Sequence, residues 1–183
     1  MRHGPFLDGG DDAFVASPGA DRPPEDGDLL HIFVDADACP VKGEVFRVAT
    51  RYGLDVTLVA NSWMRTPEDR TVALEVVGNE PDAADDWIVE RVQPHDIVIT
   101  ADILLAKRCL DKDAHAIGST GKRFTEDNIG DAVATRDLLS ELRDAGETTG
   151  GPRPLDKRDR SRFLQQLDEI IQSIRRAHPS DSH

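Results

Sequence analysis

No apolar run in this chain approaches the roughly 18 to 20 residues that a membrane-spanning helix needs. No secretory leader is visible either, because the first residues are acidic and rich in glycine and proline, without a basic start or an apolar segment. A cytoplasmic location is expected, with no membrane partner. Cysteine is scarce: Cys39 and Cys109 are the two in the sequence, far apart and without a C-x-x-C spacing, so neither a zinc site nor a disulfide framework is indicated. Each is expected to pack as a small hydrophobe. Aromatic residues make up 5%. Positive charge is short: 22 Lys and Arg against 35 Asp and Glu give a net charge of −13. That balance argues against nucleic-acid binding through overall charge, while a local basic groove stays open. The loop Gly118-Ser119-Thr120-Gly121-Lys122-Arg123 has neither P-loop nor G-x-G-x-x-G spacing and is not read as a nucleotide cradle. His31, His95 and His115 fall in unrelated places.

At 183 residues and 38% hydrophobic content the chain can build one full core with tails. Residues 1–29 are acidic and punctuated by Gly and Pro, and read as a disordered tail. Ile32, Phe33 and Val34 then form a short apolar run that ends in Asp35 and Asp37 before Pro40 stops ladder pairing. A helix carrying Val41, Val45, Val48, Ala49 and Tyr52 closes at Gly53. Strands are expected at 55–60 and 72–77, with a polar connection between them. Its large side chains, Trp63 and Met64, read as a satellite hydrophobic contact before a substrate rim. Pro81 and Asp82 open a helix with the stripe Ala84, Ile88 and Val92. Residues 96–101 form a fourth strand followed by Asp102 and a helix, and a brief fifth strand lies near His115. Strand and helix alternate, which implies a parallel, right-handed βαβ sheet.

Thr125 to Asn128 caps a further helix whose packing face is Ile129, Val133, Leu138, Leu139 and Leu142. The expected organisation is an α/β domain over 30–149, a linker with an amphipathic C-terminal helix over 150–177 packed on it, and a short tail over 178–183. Lys157, Arg158, Arg160 and Arg162 form the one basic cluster, read equally as a solvated helix entrance or a phosphate contact.

Chemistry points to the carboxylates. In an open parallel sheet, ligands gather beyond the carboxyl ends of the strands. Asp35 with Asp37, Asp82 with Asp85 and Asp86, and Asp102 all fall at strand ends or a helix start on that edge. Helix capping accounts for one such acid, and three at 82–86 exceed it. Oxygen-only donors suit hard cations such as Mg²⁺ or Mn²⁺, and a metal-carboxylate site suits phosphodiester hydrolysis. A D-x-D phosphatase is a third possibility, but the threonine-bearing strand and distal lysine that it needs are not convincingly placed.

The runs VDADACPVKGEVFRVA, DAADDWIVE, VITADILLA, GKRFTEDNIG and TGGPRPLDKRDRSRF, in this order over residues 31–176, resemble the YaiI/YqxD family of small bacterial proteins. That family resembles PIN-like nuclease domains. The resemblance implies a three-layer α/β/α fold around a mainly parallel sheet of about five strands, and clustered acids that bind Mg²⁺ or Mn²⁺ and cleave RNA or DNA. Carried over by motif, it implies Asp35 as the first-strand acid, Asp85 or Asp86 as the acid at the start of the central helix and Asp102 as the acid after Thr-x-Asp. Asp35, Asp85, Asp86 and Asp102 are thus the expected catalytic metal ligands, with Asp37 and Asp82 supporting them and Asp127 the candidate for a fourth acid. Lys42, Arg65, Lys107, Lys122 and Arg123 are candidates for phosphate contacts, and Thr100 for holding an acid or a water. The expected partner is nucleic acid, RNA before DNA, and a homo-oligomer is left open. The competing reading is a non-catalytic RNA- or protein-binding module of the same fold.

Overall fold

In the computed structural model the described residues are 30–148, 150–151 and 153–179. The tail expected over residues 1–29 and the last four residues lie outside them. Eleven elements follow one another: β1 (Ile32–Asp35), α1 (Lys42–Tyr52), β2 (Val56–Ala60), β3 (Val72–Val76), α2 (Ala83–Arg91), β4 (Ile97–Ile99), α3 (Ile103–Leu110), β5 (His115–Ile117), β6 (Arg123–Phe124), α4 (Glu126–Asp144) and α5 (Lys157–Ala177).

One sheet carries the strands in the order β3-β2-β1-β4-β5-β6. The first five are mutually parallel. β6 pairs antiparallel with β5, a two-residue edge that the sequence hid inside what reads as a loop. β1, β2 and β4 are almost wholly buried, which is why they read as continuous Ile/Val/Leu runs without alternation. The chain winds outward from β1 to β3, then returns to place β4 on the other side of β1. That reversal opens a crevice beyond the carboxyl ends of β1 and β4. Asp35, the last residue of β1, and Thr100, just after β4, sit at its mouth.

Helices cover both faces, giving the expected three layers. On one face Val45 and Val48 of α1 pack with Phe163, Leu167, Ile170 and Ile171 of α5 over Ile32, Val34, Leu58 and Ile99. On the other, Ala84 and Ile88 of α2 and Leu105 and Cys109 of α3 cover Phe33, Val59 and Val98. Both cysteines are free and buried, and burial pushes the Cys109 thiol up to about 12, so it is inert as a nucleophile.

Two helix starts are fixed by reciprocal capping boxes, Thr125 with Asn128 on α4 and Asp156 with Asp159 on α5. Gly53 ends α1 in the left-handed conformation at φ 67°. The packing face expected along α4 holds only for its first turns. Ile129 and Ala132 are buried, with Val133 packed beside them, whereas Leu138, Leu139 and Leu142 are 56%, 41% and 37% exposed. α3, the helix that α4 packs on, has 8 residues against its 19 and cannot cover the rest of it. His178 caps α5 and stacks on His95, with ring centroids 4.1 Å apart.

Candidate carboxylate site at the switch point

Thr100 is 2% exposed and organises the crevice. Its hydroxyl donates to Asp35 Oδ2 at 3.0 Å, and its oxygen accepts the backbone N–H of Asp102 at 2.9 Å. One side chain thus ties the acid that ends β1 to the loop that follows β4. Asp102 is the N-cap of α3: its Oδ1 accepts from Leu104 N at 2.8 Å and Leu105 N at 3.1 Å. The other oxygen, Oδ2, accepts no hydrogen bond among the described residues.

Asp85 completes the group from α2. Burial pushes its carboxyl up to about 6, followed by repulsion from Asp102, Asp35 and Asp82, against a smaller opposing pull from Arg108. Burial also raises Asp35 above the usual carboxylate range, the Thr100 hydroxyl opposes this, and Asp102 and Asp37 add to it. Acids from β1, α2 and the start of α3 therefore feel one another's charge, as groups of like sign must when they share a cleft. This mutual destabilisation is what a cation would relieve.

The other acids have different surroundings. Asp37 is exposed and accepts the backbone N–H of Asn61 at 2.8 Å, which ties the β1–α1 loop to the loop after β2. Asp82 is the N-cap residue of α2, in the left-handed region at φ 61°; its carbonyl accepts the Asp86 N–H at 2.8 Å, while its side chain makes no capping hydrogen bond. Asp86 turns to α3 and pairs with Arg108 at 2.8 Å. Asp127 is exposed in the first turn of α4.

Lys42 donates to the carbonyls of Ala36 and Cys39, each at 2.8 Å, and so braces the loop between Asp35 and α1. Lys107 pairs with Asp111 at 3.1 Å. Arg123 lies 3.3 Å from His115 Nδ1, whose imidazole is held down to about 4 by burial, Arg123 and His95. Lys122 sits over the Phe124 ring at 5.7 Å, and Arg65 is exposed.

The start of α5 joins the same edge. Gly121, at φ 83°, passes so close to α5 that a Cβ there would stand 2.8 Å from the backbone of Arg162 and of Phe163. At the other end of that turn, Gly118 faces the carbonyl of Thr100. Arg160 reaches the Pro40 carbonyl at 3.1 Å and Glu44 at 3.0 Å. Buried Asp159 takes two hydrogen bonds from Arg153, at 2.7 and 3.0 Å. With Asp159 so occupied, Lys157, Arg158, Ser161, Arg162 and Gln165 line an open groove of about 380 Å³ with no acid in its wall.

Two contributors were missed in the sequence. Arg108, which neutralises Asp86, and Asn61, which holds Asp37, carry no motif. Arg108 lies six residues after Asp102, and its helical position facing α2 was the available signal.

Among the described residues, no three His, Cys, Asp or Glu side chains stand close enough, as they lie, to hold one ion together. A prebuilt protein cage is therefore absent. Mg²⁺ commonly uses one or two carboxylates and completes its shell with waters and substrate phosphate oxygens. By that standard one or two of Asp35, Asp85 and Asp102, all oxygen donors, would suffice for such an ion, with waters and substrate oxygens completing its shell. No described helix is long and apolar enough to cross a membrane.

Comparison with known proteins adds a family. A solved homospermidine synthase from Legionella pneumophila in complex with NAD is 15% identical and aligns over 68% of this chain and 36% of its own, with a TM-score of 0.41, too low to carry any argument. A UPF0178 protein of Paramagnetospirillum magneticum is 54% identical over 151 residues, covering 82% of this chain and all of that protein. Another, from Rhodopseudomonas palustris strain TIE-1, is 54% identical over 154 residues, covering 83% of this chain and 98% of its own length. The family model described as "Uncharacterized BCR, YaiI/YqxD family" matches residues 33–173. The chain belongs to the YaiI/YqxD family.

Proposed function

We propose that this protein is a metal-dependent hydrolase of phosphodiester bonds, acting on RNA, with Mg²⁺ or Mn²⁺ held by Asp35, Asp102 and Asp85. The observation that carries the reading is the convergence of these three acids at the switch point of the sheet, where burial first and then repulsion from Asp102, Asp35 and Asp82 push the Asp85 carboxyl up to about 6. Such a displacement in a cleft marks a functional site more often than a structural one.

Each residue has a distinct task in this reading. Thr100 orients Asp35 and fixes the turn that carries Asp102, whose Oδ1 is taken by two amides of α3, leaving Oδ2 as its donor for an ion. Asp85 supplies the third carboxylate from the opposite helix, and Asp37 and Asp82 add negative charge around it. When bound, the divalent ion would stabilise charge on the phosphate and lower the pKa of water. Hydrolysis joins the water oxygen to phosphorus and breaks one ester P–O bond. The groove of Lys157, Arg158 and Arg162 offers the cations that an acidic protein needs to hold a polyanion nearby.

The assay is cleavage of labelled single-stranded RNA, duplex RNA and DNA by the purified full chain with Mn²⁺ or Mg²⁺. Asp35→Asn and Asp102→Asn should each lower the rate at least roughly 100-fold. Activity that is absent from every substrate, or that survives both substitutions, would remove the hydrolase reading. One observation favours a second reading: no three ligands are clustered as the side chains lie, which suits a non-catalytic RNA-binding module. Stabilisation by metal without turnover would identify that case.

A further inference from the structure

Two tryptophans occur in the sequence, and they live in opposite surroundings. Trp87 stacks edge-on with Phe33, centroids 6.3 Å apart, and carries the Arg91 guanidinium 4.0 Å over its ring. Trp63 is 75% exposed and makes no ring or cation contact among the described residues.

Its position is fixed from both sides. Asn61, directly after β2, gives its backbone N–H to Asp37 and donates through its side-chain nitrogen to the Gly78 carbonyl at 3.3 Å. Met64, the next residue after Trp63, packs on the main core cluster. The backbone on each side of Trp63 is anchored while its indole is left in solvent. The anchor on one side is itself an acid of the carboxylate edge. Arg65, two residues on, is exposed as well. A large, flat, exposed aromatic face two residues from the Asn61–Asp37 hydrogen bond matches the chemistry of an unpaired base, which stacks on indole irrespective of its identity. A base within a duplex has both faces already stacked and cannot use such a platform.

We infer that Trp63 is a base-stacking platform that receives an unpaired nucleotide of a single-stranded nucleic acid entering the carboxylate edge. The inference rests on the phosphodiester reading above, and it assigns that site a strand state. Holding one base fixes how the strand approaches Asp35 and Asp37, and it offsets the repulsion between a polyanion and an acidic edge.

The test uses the full chain carrying Asp35→Asn, in EDTA so that nothing is cleaved, and fluorescein-labelled oligoadenylate RNA, oligoadenylate DNA and an RNA duplex. Anisotropy titrations should show Trp63→Ala weakening both single strands by roughly 5- to 150-fold, with Trp63→Phe recovering most of the loss and the duplex unaffected. Indole emission should be quenched by single strands in the parent and not in Trp63→Phe, where Trp87 alone remains. The gap between the RNA and DNA arms identifies the preferred sugar. Unchanged single-strand binding in Trp63→Ala, or an equal loss for the duplex, would overturn the inference. The two readings fail separately: Trp63-dependent binding by a wild-type chain that cleaves nothing removes the hydrolase alone. Cleavage with Trp63-independent binding removes the platform alone.

Discussion

At the scale of single residues, Asp85 shows how a site is held at the expense of stability. Its carboxyl titrates at about 6 in the folded protein against 3.8 when free. Between those values the native state keeps a proton that the unfolded chain has released, so stability falls as pH rises through the window and the loss is complete above about 6. A displacement of that size is worth about 3 kcal/mol at a fully buried group, and solvent screening at this half-exposed one reduces it to about 1 kcal/mol. Asp85→Asn should therefore raise Tm by roughly 2 to 4 °C near neutral pH and leave it unchanged near pH 4. Thermal melts at the two pH values check this, and an equal gain at both would show that the buried charge of Asp85 is not the cause. Asp35, Thr100 and Asp102 were legible in the sequence because the same order, apolar strand, acid, helix, occurs twice. The partners of Asp86 and Lys42 were not, since a charged side chain near a site can face a phosphate, a neighbouring helix or a carbonyl, and spacing does not choose among them.

At the scale of elements, the close crossing of the 118–122 turn over α5 carries the architecture of the edge. Gly121 combines a left-handed φ of 83° with 2.8 Å approaches to backbone atoms of Arg162 and Phe163, which cannot swing aside as a side chain could. Gly121→Ala should cost about 2 to 3 kcal/mol, from strain and from displacement of the α5 start. Chemical denaturation would measure it, and a cost below about 0.5 kcal/mol would mean that the turn is free to move. The strand and helix periodicities of α1, α2 and α5 were readable because their buried stripes repeat cleanly. β6 was not, because two residues are too few to show a period, and the exposure of Leu138, Leu139 and Leu142 was not, because helical spacing does not tell how far the partner helix α3 reaches. The capping box of α4 was legible in the spacing of Thr125 and Asn128, whereas that of α5 was not, because Asp156 and Asp159 read as counter-charges of the basic cluster.

At the scale of the molecule, a chain of net charge −13 has to concentrate its cations to meet a polyanion. Among the described residues, Lys157 and Arg158 form no ion pair and line the groove at the start of α5, which the Gly121 turn and Arg160 bind to the carboxylate edge. Replacing both by alanine should weaken single-strand binding at every sequence and reduce the slope of log affinity against log salt by roughly 1.4. An unchanged slope would place the phosphates elsewhere. The three-layer order of the chain was legible because alternating strands and helices admit few topologies, and a right-handed crossover rule then brings the acids to one edge. What the alternation left open was how close those acids come, which depends on Thr100 and on the helix starts.

The central claim is that Asp35, Asp85 and Asp102 together make a divalent-cation site. Its most direct test is a calorimetric titration of the full chain and of Asp35→Asn with Mn²⁺, near pH 7.5 and again near pH 5, below the Asp85 value. Binding to the wild type that weakens and releases protons at the lower pH, and is lost in Asp35→Asn, is the predicted result. No heat and no rise in Tm with the wild type at millimolar Mn²⁺, or binding of equal strength in Asp35→Asn, would contradict it.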